Sequence, residues 1–270
     1  KTVEKLNSLG LEIACLSSGA CLKFKDKYDE AEAEIKAYAQ LASKLGTSYI
    51  RILADLEPAP VDEVDDEYIV DCLKKLIPIA EEYNVTLLVE TNGVYADSAR
   101  LAAVLDKVAS RKIAALWDMH HPYRDFGESA DATIKNLGTY VKHVHLRDSD
   151  DKDTYNLIGE GNMPVDSMIR ALSSINYDGF ISLEWKPDWM EDLQDREIIF
   201  PHFVNYMSRF RSTRKRKKSL YYNHDGTGQY VWKKDDLIDL TFPQVLDRMV
   251  EEFPDQYAFK YTTLDYTRTY

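Results

Sequence analysis

The stretch Val85-Thr-Leu-Leu-Val-Glu90 is a short apolar run, typical of a buried strand, that ends in a carboxylate. Ile113-Ala-Ala-Leu-Trp-Asp118 repeats this pattern, and two later apolar runs carry His145 and Glu184 near their ends. The four residues are 28, 27 and 39 positions apart, and each gap can hold a helix, a strand and their loops. Because all strand ends of a parallel barrel open onto one face, we expect these four side chains to converge on one site.

The chain alternates between strand-like and helix-like segments. Strands are predicted at residues 11–17, 49–53, 85–90, 113–118, 141–147 and 180–184. Helices are predicted after them at residues 28–45, 66–83, 97–109, 129–140, 165–175 and 195–210. This alternation indicates an α/β fold, and metal-type side chains at strand ends favour a (β/α)8 TIM barrel over an open sheet. Because only six βα units are present, we expect a barrel truncated at its N-terminus, an open crescent with exposed edges.

Composition and charge argue against several classes of protein. Apolar residues make up 44% of the 270, and no apolar run approaches the roughly 20 residues of a membrane span. The net charge is −12, and residues 1–210 alone carry −14, which argues against nucleic acid as a partner of the barrel. The three cysteines (Cys15, Cys21 and Cys72) form no zinc-type pair, and no signal peptide is recognised. The simplest expectation is a reduced, cytoplasmic protein that does not bind a membrane.

After residue 210 the pattern changes. Residues 211–218 form a dense basic run, Arg-Ser-Thr-Arg-Lys-Arg-Lys-Lys, and no further βα unit follows. This run could be a nucleic-acid or localisation patch, but a solvated linker fits better because a new pattern begins directly after it. We therefore predict a barrel at residues 1–210, a linker at 211–219 and a separate C-terminal segment at 220–270.

The four strand-end residues also indicate the kind of metal. Three carboxylates and one imidazole, with no thiolate, make a hard and mainly oxygen ligand set. Such a set suits Mn, Mg or Co and tolerates Zn. We therefore expect one divalent ion held by Glu90, Asp118, His145 and Glu184.

Several short motifs in residues 1–210 resemble the sugar-phosphate isomerase/epimerase family, the xylose-isomerase-like TIM barrels that include endonuclease IV. The motifs are Leu88-Val-Glu90, Leu116-Trp-Asp118 with His121, His143-Val-His145-Leu-Arg-Asp148, Gly159-Glu-Gly161 and Asn176-Tyr-Asp-Gly-Phe-Ile-Ser-Leu-Glu184. The resemblance implies that Glu90, Asp118, His145 and Glu184, in that order, bind one divalent metal. It also implies that His121 hydrogen-bonds the substrate. The chain departs from the family at Asn92, where many members have a histidine.

Other charged residues on the predicted strands are candidates for substrate binding. Arg51 lies inside a barrel strand, as a substrate contact or as a partner for the metal-site carboxylates. Arg147 and Lys186 could hold a substrate phosphate or carboxylate, although exposed charges of this kind contribute little. His143 shares strand parity with His145 and is expected to be a packed, hydrogen-bonded residue. Asp118 could instead cap the following loop.

The C-terminal segment resembles a different family. Leu240-Thr-Phe-Pro-Gln-Val-Leu-Asp-Arg-Met-Val-Glu-Glu-Phe-Pro-Asp-Gln-Tyr-Ala258, followed by Tyr266-Thr-Arg-Thr-Tyr270, is similar to the start of AMP-forming acyl-CoA synthetases. The resemblance implies a fusion in which a ligase domain continues beyond Tyr270. A strand is expected at residues 257–262.

These observations lead to one expected function and three alternatives. We expect a metal-dependent isomerase or epimerase that acts on a sugar or sugar phosphate through an enediolate, with Glu90 and Glu184 moving the proton. The chain could instead be a non-catalytic sugar-binding barrel, or the accessory part of a bifunctional synthetase. An endonuclease IV-like DNA-repair enzyme is a weaker alternative, because Tyr155 stands where a further histidine ligand is expected. A homo-oligomer remains open.

Overall fold

A computed structural model describes residues 2–61, 63–152, 154–185 and 193–210, together with two short strands at 260–262 and 267–269. By the density of its contacts the chain divides into two compact units, Lys1–Phe210 and Arg211–Tyr270. No helix among the described residues is both long enough and apolar enough to cross a bilayer. The fold described below is that of the first unit.

Six strands form one sheet in which every neighbouring pair is parallel and strand order follows the sequence. The strands are β1 Leu16–Cys21, β2 Tyr49–Leu53, β3 Thr86–Glu90, β4 Ile113–Asp118, β5 Val141–Leu146 and β6 Ile181–Leu183. The prediction of a parallel α/β half-barrel with six strands is confirmed. Within the described residues β1 and β6 have no further strand beside them, as expected for an unclosed barrel.

Eight α-helices accompany this sheet in the described part of residues 1–210. They are α1 Thr2–Ser8, α2 Tyr28–Leu45, α3 Asp66–Glu82, α4 Ser98–Val108, α5 His120–Phe126, α6 Ala130–Leu137, α7 Val165–Ser174 and α8 Arg196–Ser208. Local chemistry explains several of their ends. The side chain of Asp97 accepts the first two free amides of α4, from Ala99 and Arg100, at 3.0 and 3.2 Å. Helix α2 ends at Gly46, whose φ of 75° is easily adopted by glycine.

The two faces of the sheet are buried in different ways. The main core packs the helices against the outer face and includes Ile35, Leu73 and Leu101. A small second cluster of Leu88, Ala114 and Leu116 fills the inner face, one pleat below the strand ends. Because side chains alternate along a strand, the residues two positions after Leu88 and Leu116, which are Glu90 and Asp118, also point inward.

The predicted first strand was wrong in position. Residues 11–15 are not in a strand, Leu11 is 53% exposed, and β1 runs from Leu16 to Cys21. The reason is pairing: Leu16 lies opposite Ile50, and β2 begins only one residue earlier. The apolar residues before Leu16 therefore have no strand beside them. Helix α5 was not predicted either, because its seven residues are too few to show a helical period.

The described part of the C-terminal segment is an antiparallel hairpin of β7 Lys260–Thr262 and β8 Thr267–Thr269. Strand β7 overlaps the end of the strand predicted at residues 257–262. The linker at 211–219 lies outside the described residues, and the similarity of this segment to a synthetase remains a prediction.

Candidate metal centre

Four side chains meet at the C-terminal ends of β3, β4, β5 and β6. Glu90, Asp118, His145 and Glu184 each offer one ligand atom, and these atoms all lie within 4.8 Å of one another. Strand register explains the convergence, because Asp118 lies opposite His145 and His145 opposite Ser182, two residues before Glu184. The four residues that the sequence singled out therefore lie together.

The cluster is buried and carries strong negative charge. Glu90, Asp118 and His145 are 5%, 1% and 7% exposed. The Nδ1 atom of His145 lies 2.9 Å from Glu90 Oε1 and 3.3 Å from Glu184 Oε1. Three carboxylates this close, and this poorly hydrated, repel one another unless a cation lies between them.

The pKa values of these groups reflect that need for a cation. Burial alone would lower the pKa of His145, but hydrogen bonds to Glu184 and Glu90 outweigh it and raise the pKa to about 10. Burial would raise the pKa of Glu90, but the bond to His145 and the charge of Arg51 lower it. Burial raises the pKa of Asp118. The imidazolium of His145 thus supplies the positive charge between the carboxylates.

The donor set fits a divalent metal. Glu90, Asp118, His145 and Glu184 are three hard oxygen donors and one nitrogen donor that already face a common point. Together they could hold one divalent ion in place of the His145 proton, because metal ligands must be deprotonated. Sequence reasoning found every member of this set.

Arg51 pairs with a carboxylate of the cluster, the contact that one of its two predicted roles requires. Its Nε lies 3.2 Å from Glu90 Oε2, and its Nη1 donates to the carbonyl of Ser18 at 2.8 Å. The ion pair engages one Glu90 oxygen while the other faces His145. Arg51 is therefore an ion-pair partner of Glu90 in the candidate metal cluster.

His121 lies beside the cluster on α5. Its Nε2 is 3.6 Å from Asp118 Oδ2 and its Nδ1 is 3.6 Å from Asp125 Oδ2. Burial would lower the pKa of His121, but Asp118 and Asp125 raise it. Lys152 in turn contacts Asp125 at 2.8 Å. Sequence reasoning missed Asp125, although its spacing of four residues from His121 would have placed the two on one helix face.

Two polar residues fix the strand ends that carry the cluster. Thr91 Oγ1 accepts from the amide of Asp118 at 2.9 Å and donates to its carbonyl at 3.1 Å. Asp118 also accepts from the backbone amide of His120 at 2.7 Å. Asp118 therefore makes the predicted capping contact and is at the same time a member of the cluster. The Asn92 amide donates to the carbonyls of residues 55–57, at 2.8 to 3.3 Å. Asn92 thus fastens a neighbouring loop.

The remaining predicted residues lie in different places. His143 is buried one pleat below His145 and hydrogen-bonds Ser182 Oγ at 2.8 Å, as expected of a packed residue. Arg147 is also buried, two positions after His145. Lys186 lies outside the described residues.

Comparison with known proteins identifies relatives of this chain. The sequence model of a family described as "Xylose isomerase-like TIM barrel" matches residues 1–199. An uncharacterized protein of Methanocaldococcus jannaschii is 28% identical over 137 residues, 47% of this chain and 45% of that protein. The fructoselysine 3-epimerase of Escherichia coli O157:H7 is 26% identical over 126 residues, 44% of this chain and 46% of that enzyme. The matched region thus spans less than half the length of either relative.

Solved structures share the fold. The IOLI protein, whose structure contains a zinc atom, has a TM-score of 0.64 at 18% identity and covers 78% of this chain and 84% of its own. D-Psicose 3-epimerase in the presence of D-fructose has a TM-score of 0.57 at 20% identity and covers 67% of each chain. At such identities the likeness shows the fold alone. The family match, which extends over most of the sequence, shows that the chain belongs to the xylose isomerase-like TIM barrel family.

Proposed function

We propose that the chain is the catalytic part of a divalent-metal-dependent isomerase or epimerase that acts on a sugar or sugar phosphate. The observation that carries this proposal is the convergence of Glu90, Asp118, His145 and Glu184 at the strand ends. Relatives support the substrate class, since the similar proteins include a fructoselysine 3-epimerase and a D-psicose 3-epimerase.

A divalent ion in this position would polarise the carbonyl of a hydroxy-ketone and stabilise the negative charge of an enediolate. The chain's own residues move the proton. Glu184 and Glu90 are both candidates for the base, and an ion pair with Arg51 holds one oxygen of Glu90. Glu90, on a strand three positions away in the sheet, is placed to return the proton from another side. Return to the same carbon is epimerisation, and return to its neighbour is isomerisation.

His121 has a separate role in the proposal. Asp118 and Asp125 lie on either side of its ring, and both raise its pKa. A ring held in this way can donate a hydrogen bond to a substrate hydroxyl while Asp125 fixes its orientation. Lys152 balances the charge of Asp125.

The test is proton exchange between substrate carbon and solvent. The purified full chain is loaded in turn with Mn, Mg, Co and Zn and incubated with ketoses and ketose phosphates in D₂O. We expect deuterium at one carbon of at least one substrate, in a metal-dependent reaction that Glu184→Gln removes. Exchange that persists in Glu184→Gln, or that ignores metal removal, would contradict the proposed mechanism.

A further inference from the structure

Arg147 lies two residues after His145, a member of the candidate metal cluster. It follows β5 and shares strand parity with His143 and His145, so the three side chains rise along one inner face. Its guanidinium lies over the ring of Tyr155, 4.4 Å from the ring centre. Tyr155 in turn meets Trp185, the residue after Glu184, at 6.0 Å between ring centres. Through these two aromatic rings Arg147 is connected to the chain segment that directly follows Glu184.

The charge of Arg147 has no carboxylate partner among the described residues, in contrast to the other arginine inside the sheet. Arg51 has Glu90 at 3.2 Å, whereas no described carboxylate lies within 4 Å of Arg147. Arg147 is only 8% exposed, and its buried Nε has no hydrogen-bond partner. Its Nη1 has no hydrogen bond to any described residue, whereas Nη2 bonds His120 and the Lys152 carbonyl. A buried guanidinium with no carboxylate in contact is costly, so a structural role alone does not explain it.

The guanidinium is nevertheless held in place. Nη2 lies 2.6 Å from both ring nitrogens of His120, and His120 Nε2 lies 3.1 Å from Ser149 Oγ. Burial and the charge of Arg147 lower the pKa of His120, so a neutral ring faces Nη2. The Tyr155 ring covers one face of the guanidinium. Binding at Nη1 would therefore need little rearrangement, which favours affinity.

We propose that Arg147 binds an anionic oxygen group of the substrate, a carboxylate or a phosphate, and so selects charged sugars over neutral ones. This proposal rests on the proposed function in one respect: the reacting carbon of the same substrate molecule is taken to lie at the cluster of Glu90, Asp118, His145 and Glu184. A carboxylate balances one guanidinium, and a phosphate of nearly two charges would balance it in excess.

The first experiment measures anion binding without turnover. The melting temperature of the metal-loaded chain is followed in sodium acetate, sodium phosphate and sodium chloride at constant ionic strength. For the wild type we expect acetate or phosphate to raise the melting temperature by about 2 °C over chloride. Arg147→Gln should lose this rise and Arg147→Lys keep part of it. Arg170→Gln, which removes an exposed arginine on α7, should behave as wild type.

The second experiment measures selection between sugars. D-Fructose, D-fructuronate and D-fructose 6-phosphate differ at one terminal carbon, and their binding and carbon–deuterium exchange are compared. One charged hydrogen bond should favour an anionic sugar by roughly 10- to 100-fold over D-fructose. The ratio of anionic-sugar to D-fructose affinity should fall to about one in Arg147→Gln and should stay at the wild-type value in Arg170→Gln. The acid and the phosphate arms identify which anion the site prefers.

The two proposals fail in different ways. Anion binding that depends on Arg147, without carbon exchange in any sugar, supports the subsite and counts against the isomerase. If the wild type exchanges a carbon-bound proton but Arg147→Gln changes neither anion binding nor sugar preference, the isomerase is supported and the anion subsite is overturned. An equal melting temperature in all three salts for the wild type also overturns the subsite.

Discussion

His143 and His145 lie two residues apart on one strand and face the same side of the sheet, yet their pKa values shift in opposite directions. Burial lowers the pKa of His143 to about 4, and its main partner is the hydroxyl of Ser182. The pKa of His145 rises to about 10, because Glu184 and Glu90 outweigh a similar burial. The ring centres are only 5.5 Å apart. A single pleat thus separates a packed layer from a charged layer.

The other strands repeat this contrast. Leu88 and Leu116 fill the lower layer of the inner face, and Glu90 and Asp118 occupy the upper one. Burial alone therefore does not mark a functional position in this fold. What distinguishes the upper layer is that it gathers three carboxylates around one imidazole, whereas the lower layer consists of apolar side chains and the hydrogen-bonded pair of His143 and Ser182.

The largest expected effect is on the rate of carbon–deuterium exchange, and it comes from a substitution in the upper layer. Glu184→Gln keeps the size of the side chain but removes its capacity as a base, so carbon–deuterium exchange should fall by about 10²- to 10⁴-fold. Exchange is followed by NMR under saturating metal. Arg170→Gln is the control for purification and handling. A Glu184→Gln protein that turns over at the wild-type rate would exclude Glu184 from proton transfer.

The next effect is on metal affinity and compares the two histidines directly. His145→Ala removes a ligand and should weaken Mn²⁺ binding by at least about 100-fold, whereas His143→Ala should leave it within a few fold. Isothermal titration of each variant with Mn²⁺ measures both. Equal losses in the two variants would mean that the layers are not functionally distinct.

A smaller effect, of opposite sign in the two layers, is expected on stability without metal. Leu116→Ala should cost about 2–3 kcal/mol, because it leaves a cavity in the lower layer. Asp118→Asn removes one of three crowded carboxylates and retains an oxygen for the His120 amide, so the metal-free protein should not lose stability. Urea denaturation in EDTA gives both values. A loss in Asp118→Asn as large as that in Leu116→Ala would show that the carboxylate serves the fold.

The sequence predicted the upper layer well for a physical reason. A short apolar run that ends in a carboxylate specifies a buried strand and its end together, so Glu90, Asp118, His145 and Glu184 could be assigned without coordinates. The parallel topology followed from the regular alternation of strands and helices. These features depend on local pattern, which a single sequence contains.

Contacts between residues that are far apart in the sequence could not be predicted in the same way. Strand parity placed Arg51 inside the sheet but could not say that Glu90 would meet it, and the start of β1 depended on where β2 begins. Because helix α5 was too short to predict, the pairing of His121 with Asp125 on that helix was not predicted either. That no described carboxylate contacts Arg147 depends on several separate segments of the chain, so no local pattern contains it.

The most direct measurement is anomalous X-ray scattering from crystals of the full chain grown with Mn²⁺. We predict one anomalous peak at the strand ends, with ligand atoms of Glu90, Asp118, His145 and Glu184 within about 2.0–2.4 Å of it. The peak should vanish in His145→Ala and remain in His143→Ala. A wild-type crystal with no peak between these four side chains, at a Mn²⁺ concentration that occupies other sites, would contradict the assignment of this layer as a metal centre.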